Sequence, residues 1–396
     1  MQRFKDLKFR ILGNQFISFP IKYKYSIYSF YLSLFLLFSS LILTITNLFN
    51  TIVYGGNNWG IGEWLINYNG GLVRRGLVGQ IILASELNGT SLISLIVSIQ
   101  LSLYLLVWIY LVKTLIKNDF SWPFVALICN PMGICFIGWD QFVLIRKEFI
   151  GLASLIFLSL YIRGKRDHKG FLTLFYILFT LAIFSSEVNL VLLPGIIFIF
   201  TIDSDSRWKK YFSKEIFLLG FLVCSSILTS FFFRGDKNIA QSVCKKIIAS
   251  GLDPEKNCRG AVDVLGMSFS SMLSTLSSSY PVYLFYFVFL ILAVIPLSAI
   301  SSDKLTGLWI LTIFAGTLPL YLIAWDYGRW IFIFIVEITI CLSITKVRVR
   351  NKAIFNSRST SIYLLLWGSG HGGNPIENGW IGAVPTLFRK FLGFFN

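Results

Sequence analysis

Charged residues are scarce in this chain: Asp, Glu, Lys and Arg make up 14% of its 396 residues. A water-soluble domain carries about 25%, so a conventional soluble enzyme of this length is excluded. Histidine is scarcer still. His168 and His371 are the only two, and both fall in segments that the charge pattern places in the cytoplasm. That removes Ser-His-Asp catalysis and His-rich metal sites from the opposite face. A phosphate-cradling loop is also missing, because the run Gly368-Ser369-Gly370-His371-Gly372-Gly373 has no clear Lys or helix behind it. No cofactor is expected, and a divalent metal is left open without a ligand set to support it.

Apolar residues dominate instead, at 55%. They gather in runs at about residues 26–48, 91–112, 121–138, 142–162, 170–186, 188–202, 215–233, 281–300, 305–324 and 330–345. A hydrocarbon core needs about 20 such residues per helix. The expected fold is therefore all-α, a polytopic transmembrane helix bundle of about ten spans (range eight to eleven) with short interfacial helices on its outer face. The run containing Pro194 is short, which allows a bent or re-entrant segment. Three regions follow: a basic segment 1–25, a helical domain 26–345 with long outer loops 49–90 and 234–279, and a tail 346–396. The tail, aromatic from Trp380 to Phe395, reads as a flexible cytoplasmic segment with an interfacial anchor.

The net charge of +16 invites a nucleic-acid reading. Its distribution argues otherwise. With the amino terminus in the cytoplasm, 24 of the 35 basic residues fall in cytoplasmic segments, among them Arg3, Lys117, Arg163, Lys210 and Arg348. This is the positive-inside pattern, so membrane lipid is the expected partner and nucleic acid is not. The expected location is a bacterial inner membrane, with both termini cytoplasmic.

Cys129, Cys135, Cys224 and Cys341 lie in apolar runs and read as packing residues. Cys244 and Cys258 share the loop 234–279, where a disulfide and a free pair are both open. In loop 49–90, Leu72 to Leu87 places Val73, Leu77, Ile81 and Ala84 at helical spacing, which predicts a surface-lying helix with Arg74 and Arg75 in its first turn. Cations there oppose the helix dipole unless an anion sits beside them, so an anionic ligand is one reading and lipid phosphate the other. A second surface helix is expected before residue 281, with Phe269, Met272, Leu273, Leu276 and Tyr280 on one face.

Further ionisable residues cluster toward the same face. Arg146, Lys147 and Glu148 enter the fourth run by a turn or two, Asp140 precedes it, Glu187 with Asn189 ends the fifth, and Asp326 and Arg329 link the last two. Charge at that depth is expected to face a cavity or a partner rather than lipid. Structural ion pairing is the competing reading. Asp203-Ser204-Asp205 has the form of a metal-binding Asp-x-Asp but stands alone in a loop, where solvation explains it.

This pattern resembles the membrane-embedded GT-C class of glycosyltransferases and, more loosely, the O-antigen-type polysaccharide polymerases. GT-C enzymes have many spans, an acidic residue in the first outer loop and surface helices in that loop; Glu63 and Leu72 to Leu87 occupy those places. The resemblance implies Glu63 as general base, with arginines binding the phosphate of a polyprenyl-linked sugar. Arg74, Arg75, Arg146, Lys147 and Arg329 are the candidate phosphate ligands, and Asp140, Glu148, Glu187, Asn189 and Asp326 the supporting polar set. A multi-pass transporter or lipid-linked-glycan flippase is the main alternative, motivated by Arg146, Lys147, Glu148, Glu337 and Pro194. A non-catalytic assembly protein is the third.

Overall fold

A computed structural model describes residues 6–11, 15–20, 25–140, 143–164, 168–202, 214–267, 280–301, 304–323, 326–345, 348–349, 355–368 and 370. The described chain is helical apart from two minor antiparallel ladders, β1 (Asp6–Ile11) with β2 (Gln15–Pro20) and β3 (Ile300–Ser301) with β4 (Arg348–Val349). The helices are α1 (Tyr25–Val53), α2 (Ile61–Trp64), α3 (Leu77–Leu83), α4 (Gly89–Lys117), α5 (Trp122–Ile128), α6 (Phe136–Trp139), α7 (Glu148–Arg163) and α8 (Lys169–Ser185). A 3-10 turn, Glu187–Leu192, leads into α9 (Leu193–Thr201). Then come α10 (Lys214–Phe232), α11 (Lys237–Ala249), α12 (Pro254–Asn257), α13 (Tyr280–Ser298), α14 (Lys304–Ile323), α15 (Tyr327–Ile344) and α16 (Ser357–Leu366).

Among the described residues, four helices are long and apolar enough to cross a membrane: α1, α4, α10 and α15. Their burial is inverted relative to a soluble protein. Helix α1 exposes Tyr28, Tyr31, Phe35, Phe38, Ile42, Ile45 and Phe49, a stripe at alternating spacings of three and four, and buries Ser29, Ser33, Ser40 and Thr44. An apolar stripe facing outward, with small hydroxyl residues facing the neighbouring helices, is how a helix sits in hydrocarbon. Helix α10 does the same, exposing Phe217, Phe221 and Leu228 while Ser226 donates to the Ile183 carbonyl. Helix α15 is the opposite case, 94% buried, because the other helices pack around it.

Four is fewer than the ten or so expected from the apolar runs, and two of the expected spans take a different form. The run 121–138 is broken into α5 and α6, and every residue from Trp122 to Asp140 is buried in protein. Pro131 has no N–H and disfavours helix at Asn130, whose side chain takes over the turn by accepting from Met132 N at 2.9 Å. Broken backbone at membrane depth is tolerated when protein encloses it. The Pro194 run is half 3-10 helix. At about 2.0 Å rise per residue in that part and 1.5 Å in α9, it still covers roughly 25 Å.

The described part of the tail is packed, not flexible. Helix α16, capped at Asn356 and Ser359, lies along α5 and α13 and runs antiparallel to α13. Tyr363 Oη donates to the Leu292 carbonyl, Trp367 stacks on Phe289 and Tyr286 Oη donates to the Gly370 carbonyl. Residues 357–370 thus run back into the bundle and end beside Gly328, at the start of α15. The remainder of the tail, with His371, lies outside the described residues, as do Asp203-Ser204-Asp205 and the expected surface helix at Phe269 to Leu276.

The two ends of the bundle are held differently. At one end Lys117 Nζ and Arg163 Nη2 both reach the Ser343 carbonyl, joining the C-terminal ends of α4, α7 and α15. At the other, the loop end, loop 49–90 and residues 234–267 clasp each other. Asn58 Nδ2 donates to the Glu255 carbonyl, Lys256 Nζ to that of Tyr54, and Arg259 N to Asn58 Oδ1. Helix α3 is seated under this clasp by a contact only glycine allows, since a Cβ on Gly79 would fall 2.0 Å from the Ile66 carbonyl oxygen. Gly79→Ala is expected to lower thermal stability in detergent by about 1–3 kcal/mol, the usual cost of overpacking. Gly220→Ala, on an open face of α10, is expected to be neutral or slightly stabilising.

Candidate functional site

The loop end holds a network of charged side chains, and three consecutive residues are its hub. Arg146, Lys147 and Glu148, at the start of α7, each reach a different part of the chain. Arg146 donates to Glu63 Oε2 at 2.9 Å and to the Trp59 carbonyl at 3.1 Å, with its guanidinium 5.9 Å from the Trp59 ring centroid. Lys147, fully buried, donates from Nζ to the Arg75 carbonyl at 2.9 Å. Glu148 pairs with Arg329 on α15, which also holds Asp326 at 2.6 Å. Glu63 and Arg146 are 3% and 6% exposed at the side chain, so both members of this pair are out of bulk water.

The third pairing is the most instructive. Glu187, the first residue of the 3-10 turn, is gripped by Arg75 through Nε on Oε2 at 2.8 Å and Nη2 on Oε1 at 2.5 Å, with Arg74 Nη1 also on Oε1 at 3.1 Å. The two-pronged geometry is the one for which a guanidinium is suited. The expected helix from Leu72 is shorter than its periodicity suggests. It starts at Leu77, so both arginines precede it, Arg75 with a φ of 71°. Its buried face is Val78 and Ile82, while Ile81 and Ala84 point outward. The anion that the arginines call for is supplied by the chain itself.

Local sequence positions these groups. Asn57 Oδ1 accepts from Trp59 N and Gly60 N, closing the turn that starts α2 and buries Glu63. The Cys244–Cys258 disulfide ties α11 to the end of α12, the segment against which α2 packs. Closing about fifteen residues in this way stabilises the loop by roughly 3 kcal/mol through lost unfolded-state entropy.

No protein family, curated protein or solved structure matches the chain. The site is therefore read from its own geometry.

That geometry brings together Glu63, Arg74, Arg75, Arg146, Lys147, Glu148, Glu187, Asp326 and Arg329. Asn189 is not part of the network. Its Nδ2 caps the Ala182 and Ser186 carbonyls, a structural role at the α8 terminus. Asp140 is buried at the end of α6. Arg234 belongs to the neighbourhood although sequence reasoning passed it over. It lies on the Phe231 ring at 4.8 Å, and Arg74 N donates to the adjacent Phe233 carbonyl. Its signal was present in the sequence, an arginine directly after three phenylalanines at the outer end of a span.

Among the described residues these contacts join five cations to four carboxylates, and of the buried groups Arg146, Lys147 and Arg329 are matched in number by Glu63, Glu148 and Asp140. Each of those four carboxylates has an arginine, and Lys147 has a carbonyl only. Arg74 Nε, Arg329 Nε and Glu148 Oε2 are buried with no hydrogen-bond partner among the described residues. Two idle guanidinium N–H groups and an idle carboxylate oxygen leave this network with unused hydrogen-bonding capacity. Among the described residues, no group of three His, Cys, Asp or Glu is arranged to hold a metal ion.

Burial by itself raises the Glu63 carboxyl, but Arg146, then Arg329, Lys147 and Arg75, more than offset this and hold it below its ordinary value of 4.5. It is a carboxylate at neutral pH. A lowered folded-state pKa contributes stability that is complete above the unfolded value and lost as pH falls through the folded one. Thermal stability is expected to drop below about pH 4.5, and Glu63→Gln to flatten that limb. At neutral pH, Glu63→Gln and Arg146→Gln alone are each expected to cost about 3–5 kcal/mol, and the double variant much less than their sum, as for a buried pair. Additive losses in a double-mutant cycle would contradict the pairing.

Proposed function

We propose that this protein is an integral membrane transferase that moves a sugar from a polyprenyl-phosphate carrier to an acceptor hydroxyl at the outer leaflet, or joins glycan units as a polymerase, in cell-surface glycan assembly. The observation that carries this reading is the buried Glu63 carboxylate beside the cations Arg146, Lys147, Arg75 and Arg74 at the loop end. A polyprenyl-phosphate sugar brings its own leaving group, so the protein must position an acceptor, take its proton and stabilise charge on the departing phosphate. In this reading the chain crosses a bacterial inner membrane about ten times, counting the broken α5–α6 segment as one crossing, with its amino terminus in the cytoplasm.

The roles follow from the contacts. Glu63 uses one oxygen on Arg146, and its other oxygen accepts the acceptor's proton. The acceptor oxygen attacks the anomeric carbon as the bond from that carbon to the phosphate oxygen breaks, and the phosphate leaves with the electron pair. Lys147, Arg75, Arg74 and Arg234 receive that phosphate, with Glu187 releasing one arginine as the substrate's charge arrives. The exposed Phe231 and Phe232 beside Arg234 suit the first prenyl units of the carrier. Arg329 and Glu148 hold α15 against the hub.

A transporter or flippase is the second reading, favoured by one observation. The 3-10 turn, Pro194 and Gly195 form a helix break deep in the bundle, where Gly195 N donates to the buried Glu337. The two readings differ in access. Cysteines introduced along the network are expected to react with a membrane-impermeant reagent from the outer side only, whereas a flippase exposes them to each side in turn. With purified protein and a short-chain polyprenyl-phosphate sugar, Glu63→Gln is expected to slow transfer by about 10²–10⁴-fold. The Glu63→Gln, Arg146→Gln variant is expected to regain thermal stability without regaining transfer. Transfer at the wild-type rate in that stable double variant would sink the assignment of Glu63 as base.

A further inference from the structure

An open cleft of about 640 Å³ lies between α3, the turn at Asn67 to Asn69 and α11, lined by none of the ion-paired residues. That volume falls within the usual range of ligand pockets, about 300–1,000 Å³. Its lining does not follow the usual apolar pattern. Asn67, Tyr68, Asn69, Gln80, Glu86 and Lys246 face it: three amides, a phenol and one charge of each sign.

Much of this wall is fixed before any ligand arrives. Asn67 is buried, accepting from Asn69 N and donating to the Leu65 carbonyl, both at 2.9 Å. Asn69 Nδ2 donates across the cleft to the Ser242 carbonyl on α11, which the disulfide at Cys244 braces. Gln80 Oε1 accepts from Tyr68 N, which turns its Nε2 into a free donor. The Tyr68 ring is held against Gly76, where a Cβ would come within 2.3 Å of it. Tyr68 Oη, Gln80 Nε2, the Glu86 carboxylate and Lys246 Nζ make no hydrogen bond or ion pair with the described residues.

We infer that this cleft binds a short oligosaccharide, the glycan acceptor of the transferase proposed above. Spaced donors and acceptors beside one aromatic face match a ligand made of hydroxyl and amide groups on a ring with apolar faces. Glu86 and Lys246, one charge of each sign with no ion pair between them, leave the lining neutral, which favours a sugar over a free phosphate. The position is also right. Asn67 is four residues beyond Glu63, so their Cα atoms lie within about 14 Å, and Gly76 follows Arg75 directly. An acceptor held in the cleft can extend its terminal hydroxyl toward the carboxylate.

The name "acceptor" rests on the transferase reading, whereas glycan binding does not, and one set of variants separates them. Full-length protein in detergent is presented to an array of free oligosaccharides containing neutral, N-acetylated and uronic-acid sugars. Wild type is expected to retain a subset, and Gln80→Ala and Lys246→Ala, both on exposed positions, to weaken retention at least tenfold. Tyr68→Phe keeps the ring packing and is expected to weaken it less than Tyr68→Ala. Glu63→Gln is expected to bind like wild type while losing transfer. No retained glycan, wild-type retention by Gln80→Ala and Lys246→Ala, or binding only to vesicles of anionic lipid would overturn the cleft assignment. Intact transfer in Glu63→Gln alongside lost binding in the cleft variants would leave the cleft standing and remove the transferase mechanism instead.

Discussion

Removing a charge from water costs several kcal/mol unless a partner waits for it, and this constraint organises the loop end of the bundle. Arg146, Lys147 and Glu148 are consecutive, so the start of α7 cannot move without disturbing Glu63, the Arg75 backbone and Arg329 together. The first loop, α15 and the α8 terminus are thereby held in one arrangement. Packing alone does not specify this. Apolar helices in hydrocarbon gain little by choosing one neighbour over another, whereas paired charges have few alternatives.

The same pairing explains why the site is charged and yet restrained. Glu187 occupies Arg74 and Arg75, and Arg146 occupies Glu63, so these charges are held by partners within the chain. In the proposed transfer the departing phosphate gains a second charge and carries more acceptor oxygens than Glu187. Lys147 lies beside these pairs, donating to the Arg75 carbonyl. In that reading the reactive groups are placed ahead of time and the substrate completes the balance.

The helical membrane character was legible from apolar runs. The charged residues of the site were legible too, because an ionisable residue at the edge of an apolar run has few harmless explanations. Their partners were not. Glu187 stands more than a hundred residues from Arg75, and Arg329 more so from Glu148, and no periodicity links residues across such distances. The break at Asn130-Pro131 was visible as a proline, but a run of that hydrophobicity reads equally as a continuous span. The tail misled because Ile362 to Trp367 is too short to cross a membrane, and only packing against α5 and α13 shows that it re-enters the bundle.

The central claim of the proposed function is that the cations around Lys147 receive a lipid-linked phosphate. Equilibrium binding of a short-chain polyprenyl phosphate to the purified protein, compared between wild type and Lys147→Gln, tests it most directly. The account predicts saturable binding to wild type, weakened at least tenfold in Lys147→Gln, and weakened by added salt less than surface charge pairing would be. Equal affinity in the two proteins, with both correctly folded, would contradict it.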